Sequence, residues 1–357
     1  MPVIHPNPYL GTGLPDPSIV PQDDPAAVAR LLSLCPAHAA TPLLDLPELA
    51  KLAGVGQLLV KDERGRMGLG SFKALGAAYA IAHDAAQVVQ DGVREGAWDN
   101  ALVGRRYITA SAGNHGLSVA VGARLFGAEA TIYIADTVPE AFATRLRAKG
   151  ATVARTGANY EESMAAAEAA AKAEGATLLS DSSWPGYTDP PYRVMEGYLQ
   201  LAAEAAGQIG PAPSHILLQA GVGGLAAAVA AHARAVWGTA PTIIVVEPDA
   251  APALFDSIRA GRLVTTQGPD SSMGRLDCKT PSMIALAGLS RDADIFATIT
   301  EGEAAEGVAL LARYGLATTP SGGAGLCALF AGLPGLVSGM GPDARVMAIL
   351  SEGPEDA

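Results

Sequence analysis

Along the chain, short apolar runs alternate with longer stretches in which apolar residues recur every three or four positions. Leu58-Leu59-Val60, Tyr107-Ile108-Thr109, Thr131-Ile132-Tyr133-Ile134, Ile216-Leu217-Leu218, Ile243-Ile244-Val245-Val246 and Val346-Met347-Ala348-Ile349-Leu350 have the length and composition of buried strands. A further short strand is expected over Thr177 to Leu179. Phe72, Leu75, Tyr79 and Ala82 fall on one face of a helix, as do Leu117 and Ala120, and alanine-rich helical runs follow Ala165 and Leu225. Apolar strands followed by helices are the pattern of βα units, in which helices cover both faces of a largely parallel sheet. The fold class is therefore α/β, with two lobes of parallel-rich sheets flanked by helices. The Pro- and Gly-rich first 38 residues or so predict an extended lead-in that wraps a neighbouring lobe.

Composition narrows the partners. The 357 residues are 49% hydrophobic and 17% charged, enough apolar material for a sizeable core and too much for a disordered chain. The formal net charge of -12 disfavours nucleic acid and an anionic membrane surface as partners. No apolar run is long and clean enough to span a bilayer, and Met1 to Pro6 lacks the basic and apolar regions of an export signal. Cys35, Cys278 and Cys327 show no metal or redox spacing, and the six histidines are scattered, so no metal site is expected. A reducing, cytoplasmic setting fits this sparse cysteine use.

Four segments carry candidate chemistry, each where a strand ends or a helix begins, the place where open α/β sheets bind ligands. Gly70-Ser71-Phe72-Lys73 puts a lysine at a helix start, where the helix dipole disfavours a cation and favours a neutral, nucleophilic amine. The alternative is a solvated first-turn lysine. Ser111-Ala112-Gly113-Asn114-His115-Gly116 places small residues at a helix N-terminus, suited either to a carboxylate or simply to capping by Ser111 or Asn114. Gly221-Val222-Gly223-Gly224-Leu225 allows a phosphate to approach backbone N–H groups, or is only a tight βα turn. Leu350-Ser351-Glu352-Gly353 sets Ser351 at the carboxyl end of the last strand, as Pro320-Ser321-Gly322-Gly323 does nearby in sequence.

In this order and at these separations the segments resemble the tryptophan-synthase-β-like, fold type II family of pyridoxal-phosphate enzymes, and within it the diaminopropionate ammonia-lyases. The likeness runs from about Thr41-Pro42-Leu43 to Ser351-Glu352-Gly353 and includes Val60-Lys61-Asp62-Glu63, Gln219-Ala220-Gly221 and Val246-Glu247-Pro248. Asp181-Ser182-Ser183-Trp184-Pro185-Gly186-Tyr187-Thr188 is the subgroup-specific stretch. The resemblance implies a lyase that eliminates a β-substituent from a small amino acid, yielding a 2-oxo acid and ammonia. It implies pyridoxal 5'-phosphate carried by Lys73 with Phe72 beside it, its phosphate held by Gly221, Val222, Gly223, Gly224 and Leu225, its ring hydroxyl met by Asn114 and its pyridine nitrogen by Ser351. A neutral hydroxyl at that nitrogen leaves the ring a weaker electron sink, which suits loss of a β-leaving group. The substrate carboxylate would lie against Ser111, Ala112, Gly113, Asn114 and His115, and Asp181 would serve as a base beside Lys73 or, alternatively, as a cap after a strand. The lobes implied are a large cofactor-binding domain, 1–66 and 176–357, and a small domain, 67–175, with the cofactor in the cleft between them. A homodimer is implied by the resemblance alone.

Two departures from the family pattern bear on the substrate. Ala112 stands where the ammonia-lyases carry an aspartate associated with the D-isomer. In Met273-Gly274-Arg275-Leu276-Asp277-Cys278-Lys279-Thr280-Pro281-Ser282, Arg275 and Lys279 replace glycines and Thr280 a glutamate. Each change removes negative charge or adds positive charge, so Arg275 becomes a candidate ligand for an acidic β-substituted substrate such as 3-hydroxyaspartate, unless the segment has merely drifted. A serine/threonine or 3-hydroxyaspartate dehydratase is the alternative activity. A β-replacement synthase, a silent binding module and a nucleotide-dependent oxidoreductase using Glu247 complete the readings.

Overall fold

The structure is a computed structural model that describes residues 1–15, 19–90 and 98–354. Its strands are β1 (Val3–Pro6), β2 (Leu43–Asp45), β3 (Gln57–Asp62), β4 (Arg106–Ala110), β5 (Glu129–Ile134), β6 (Thr152–Arg155), β7 (Thr177–Leu178), β8 (His215–Gln219), β9 (Thr242–Pro248), β10 (Ile295–Ile299) and β11 (Arg345–Leu350). Seven form one sheet in the order β1-β10-β9-β8-β11-β3-β2, and four form another in the order β6-β5-β4-β7. The smaller sheet is parallel throughout. In the larger, β10-β9-β8-β11-β3 is a parallel run closed by the antiparallel edge strands β1 and β2. Every residue of β8 is buried, and so is every residue of β11 but Arg345. Burial on both faces is what a strand inside a parallel sheet requires, and continuous apolar runs meet it.

All the runs read as strands from the apolar pattern are strands. The pattern missed β1, β2, β6 and β10, which are five residues or shorter. In β10, Thr and Ala interrupt the apolar signal of Ile295, Phe296 and Ile299 although Phe296 through Ile299 are buried.

The chain divides into two compact units. Unit 1 comprises Met1–Pro25, Ala39–Phe72 and Tyr198–Ala357, and unit 2 comprises Ala26–His38 and Lys73–Gly197. This division differs from the expected 67–175 small domain at both ends. Strand β7 pairs with β4, which places Thr177 and Leu178 in the small sheet. The Asp189–Gly197 helix packs on the Lys73–Gln90 helix so closely that a Cβ on Gly197 would lie 2.7 Å from the Leu75 carbonyl oxygen. The lead-in is likewise more than extended chain, since β1 joins the large sheet and the Ala26–Leu32 helix buries Val28 and Leu32. Among the described residues no helix is long and apolar enough to cross a membrane.

Unit 1 also buries charge. Lys61, Glu63 and Arg66 are fully inaccessible to solvent. The Arg66 guanidinium donates to Glu63 at 2.7 and 2.8 Å, to Glu204 at 3.0 and 2.7 Å, to the Thr41 hydroxyl at 3.0 Å and to the Ala39 carbonyl at 2.9 Å. Lys61 Nζ donates to Glu204 at 2.9 Å, to Gln208 Oε1 at 3.0 Å and to the Thr41 carbonyl at 2.7 Å. Two cations thus meet two carboxylates. Burial opposes ionisation of Glu204, but Arg66 and Lys61 hold its carboxyl down to about 2.

Just past Arg66 the chain enters the left-handed region at Met67 (φ 50°), Gly68 (φ 66°) and Gly70 (φ 79°). The turn then docks on the end of β11: Phe72 N–H donates to Ser351 O at 3.1 Å and Gly353 N–H to Gly70 O at 3.0 Å. The backbone that leads to Lys73 is thereby held from both sides.

Glu204→Ala should destabilise the protein by about 3–5 kcal/mol, because it leaves two buried cations short of a partner; urea unfolding measures this. The folded value of Glu204 is below its ordinary 4.5, so its contribution is present above that pH and is lost as the pH falls toward about 2.

Candidate active site

Within unit 2, Lys73 is the first residue of the Lys73–Gln90 helix, and its Nζ donates to Asp181 Oδ2. The two residues stand 108 positions apart. Asp181 lies just past β7, at the carboxyl end of the small sheet. Burial works against its ionisation, but the Lys73 ammonium beside it holds its carboxyl well below the usual carboxylate range.

His115 follows Asn114 at the start of the Asn114–Leu125 helix, and its Nε2 lies 2.8 Å from Leu179 O. A carbonyl can only accept, so Nε2 carries the hydrogen. Nδ1 is buried with no hydrogen-bond partner, so a proton there would be stranded. Burial accordingly lowers the His115 pKa; Asp181 pulls the other way and Lys73 adds to the lowering. The imidazole is neutral at physiological pH.

The turn before this helix is as tight as its composition suggests. Ser111 Oγ accepts from Gly113 N–H at 3.3 Å, and a Cβ on Gly116 would fall 2.2 Å from Ser111 O. Gly113 is the N-cap, and no side chain caps the helix. Of the two readings of this segment, helix capping by Ser111 or Asn114 is not what the geometry shows. Ser111, Ala112, Gly113 and Asn114 are half-buried and lead directly to His115. Lys73, Asp181 and His115 are thus brought together, with the Ser111–Asn114 turn beside them.

In unit 1, Gly221, Val222 and Gly223 link β8 to the Gly224–Trp237 helix. Gly223 is the N-cap, with φ 98°, and again no side chain caps the helix. A Cβ on Gly221 would lie 3.0 Å from Arg275 O, Cys278 Sγ and Leu276 Cα, and one on Gly223 would lie 3.0 Å from Ala285 Cβ. The close approach at Gly221 and the left-handed φ at Gly223 both favour glycine. The helix these glycines open spans 14 residues, and its N-cap is a glycine with no side chain to cap it, so the residues present fit a phosphate group. Ser351 is 5% exposed at the end of β11, with its N–H donating to Gly322 O at 3.1 Å. Gln219 Nε2 joins the same corner, donating to Gly322 O at 2.8 Å and Ile349 O at 3.1 Å. Leu225 is buried behind the glycine turn, and Phe72 packs edge-on against Tyr198 with ring centroids 4.9 Å apart.

The basic substitutions are less open than their charges suggest. Arg275 Nη1 pairs with Glu352 Oε1 at 3.0 Å, and Glu352 also accepts from Thr319 Oγ1. Lys279 Nζ donates to Asp277 at 2.5 Å, Pro269 O at 2.8 Å and Ala250 O at 3.0 Å. Both cations are matched within unit 1. Glu352 had no role in the sequence reading, because a carboxylate after a strand ordinarily faces water. Its position inside Ser351-Glu352-Gly353 was the available signal. Glu247 is not open to grip a ribose: it is fully buried, and its two oxygens accept from Leu254 and Phe255 N–H at 2.8 and 2.7 Å. Burial pushes its carboxyl up to about 8 despite those bonds.

His115 has a folded value below its ordinary 6.5, so the stability it contributes is present above that pH and is lost as the pH falls below it. The melting temperature should therefore drop on acidification from pH 7 to 5, with a shallower drop in His115→Gln; calorimetry across that range checks it.

Comparison with known proteins identifies the family. Residues 34–352 match the pyridoxal-phosphate dependent enzyme family. Diaminopropionate ammonia-lyase of Salmonella typhimurium is 32% identical over 78% of this chain and 72% of its own length. Human L-serine dehydratase/L-threonine deaminase is 29% identical over 83% of each. The crystal structure of Escherichia coli diaminopropionate ammonia-lyase in complex with D-serine superposes with a TM-score of 0.87 at 31% identity, covering 99% of this chain and 94% of that one. The chain belongs to the pyridoxal-phosphate dependent enzyme family, with the fold type II architecture and its cofactor.

Proposed function

We propose that the protein is a pyridoxal-phosphate dependent ammonia-lyase acting by α,β-elimination on 2,3-diaminopropionate or a close β-substituted analogue. The observation that carries the reading is the Lys73–Asp181 pair with neutral His115 beside it. Elimination needs a proton taken from the α-carbon and a proton given to the departing β-group, and a lysine amine next to a carboxylate can do both in turn. When bound, pyridoxal phosphate withdraws electrons from the α-carbon and so makes that proton removable.

The chain's own residues supply the rest. Lys73 holds the cofactor and, once displaced by the substrate amine, is an amine placed to carry a proton at Nζ. Asp181 accepts and returns that proton at Oδ2. The Ser111–His115 turn, at the start of the Asn114–Leu125 helix, would receive the substrate carboxylate, with Asn114 at the cofactor's ring hydroxyl. The turn Gly221–Leu225 receives the phosphate, and Ser351 serves the pyridine nitrogen. The β-amine leaves as ammonia, and the released enamine takes up water to give pyruvate and a second ammonia.

The relatives include a serine/threonine dehydratase, and loss of a β-hydroxyl would use the same groups. Pairing of Arg275 with Glu352 speaks against an acidic substrate, since the corner they occupy carries no net charge. A homodimer in the cytoplasm belongs to the same reading; the dimer rests on the resemblance alone, and the location on the sparse cysteine use of the sequence.

Purified protein with added cofactor should absorb in the visible as a yellow holoenzyme, and Lys73→Ala should abolish the band. With 2,3-diaminopropionate it should release pyruvate and ammonia in a ratio of one to two. Turnover of serine but not of 2,3-diaminopropionate would overturn the ammonia-lyase reading in favour of the dehydratase. Asp181→Asn should lower kcat by roughly 10²–10⁴-fold. Arg275→Ala should leave KM for 2,3-diaminopropionate within about twofold, because the guanidinium is committed to Glu352; steady-state kinetics measures both variants.

A further inference from the structure

We infer that Tyr187 is a positioning residue for the reaction: its hydroxyl extends the ladder of the small sheet beyond the end of β7 and so fixes the backbone that presents Asp181. The inference rests on the reading that Asp181 moves protons beside Lys73.

Strand β7 is two residues long, and its pairing with β4 stops at Leu178. Asp181 lies three residues further on, where a parallel strand has no more partners to fix its direction. Four of the backbone groups on the way, from Leu178 O to Ser180 N–H, are nevertheless tied. Leu179 N–H donates to Ile108 O at 2.8 Å, and Leu179 O accepts from His115 Nε2 at 2.8 Å. Tyr187 supplies the rest through one atom, donating to Leu178 O at 2.8 Å and accepting from Ser180 N–H at 3.0 Å. Beyond it, Ser180 Oγ accepts from Ser182 N–H at 3.2 Å, closing a turn around Asp181.

A phenol can do this only if the ring is itself held. Trp184 and Tyr187 exchange backbone hydrogen bonds at 3.2 and 2.9 Å across Pro185-Gly186, where Gly186 takes φ 85°. Proline followed by a left-handed glycine is the sequence a type II turn requires. The two rings stack with centroids 4.3 Å apart and planes 23° from parallel. Burial raises the Tyr187 hydroxyl above its usual range, which keeps the donated proton in place. The subgroup-specific stretch Asp181 to Thr188 thereby acquires a physical reason: its far end builds the clamp that holds its near end.

The test uses holoenzyme and 2,3-diaminopropionate, with and without deuterium at the α-carbon. Tyr187→Phe keeps the ring and the stack and removes both bonds of the hydroxyl. Its kcat should fall at least tenfold with KM within twofold, and the primary isotope effect on kcat should rise, because proton abstraction has become slower relative to the other steps. A purely structural role would lower the melting temperature without raising the isotope effect, and that result would overturn the inference, as would parental kinetics. If Tyr187→Phe fails to retain the cofactor band, Trp184→Leu carries the test: it leaves the hydroxyl in place but frees the ring, and should cost at least threefold in kcat with the same rise in isotope effect. Asp181→Asn separates the two claims. If Asp181→Asn turns over like the parent, the function assigned to Asp181 fails and the positioning role with it. If Asp181→Asn is inactive while Tyr187→Phe behaves as the parent, only the positioning role fails.

Discussion

Two positive charges without access to water are the constraint around which unit 1 is organised. Arg66 and Lys61 are fully buried, and neither can remain so without the carboxylates of Glu63 and Glu204 at hydrogen-bonding distance. Meeting that condition fixes segments that are distant in sequence: the Ala39–Thr41 stretch, β3 and the Leu199–Gln208 helix. Such a cluster adds little net stability compared with an apolar substitute, but its hydrogen bonds tie the three segments to one another. Its geometric product is the turn after Arg66, where the backbone is committed to positive φ at Met67 and then to the end of β11. The helix that begins at Lys73 starts from a backbone already fixed.

Unit 2 solves a different problem with neutral groups. The end of its short parallel sheet leaves backbone donors and acceptors without strand partners, and side chains take them up. His115 spends its one hydrogen on Leu179 O and is kept uncharged by burial. The result is a carboxylate beside an ammonium with a neutral imidazole behind it, an arrangement in which the charge balance of the site depends on Lys73 and Asp181 alone.

Much of this was legible in the sequence, for reasons that can be named. Buried parallel strands are continuous apolar runs, so β3, β4, β5, β8, β9 and β11 announced themselves, while the short β1 and the mixed β10 did not. The glycine turn at 221–224 was visible because few other residue types serve there, and Lys73 because a cation is out of place at the start of its helix. The boundary of unit 2 was not, since two residues of β7 and one close helix contact at Gly197 decide it. Nor was the engagement of Arg275 and Lys279: charge can be counted along a sequence, but whether it is spent depends on which carboxylate folds against it. Glu247 teaches the same point, being an acid in sequence and a buried helix cap in the structure.

The glycine at 221 has a bearing on how this scaffold can diversify. What crowds it is mostly main chain, the Arg275 carbonyl and the Leu276 Cα, with only Cys278 contributing a side-chain atom. The path of segment 275–278 is therefore dictated by the glycine turn, while the side chain at 275 points away from that dependence, toward Glu352. Lineages built on this fold can exchange the side chain at 275 without disturbing the glycine turn behind it. The side chain at 275 and the course of the glycine turn are in that sense separately heritable.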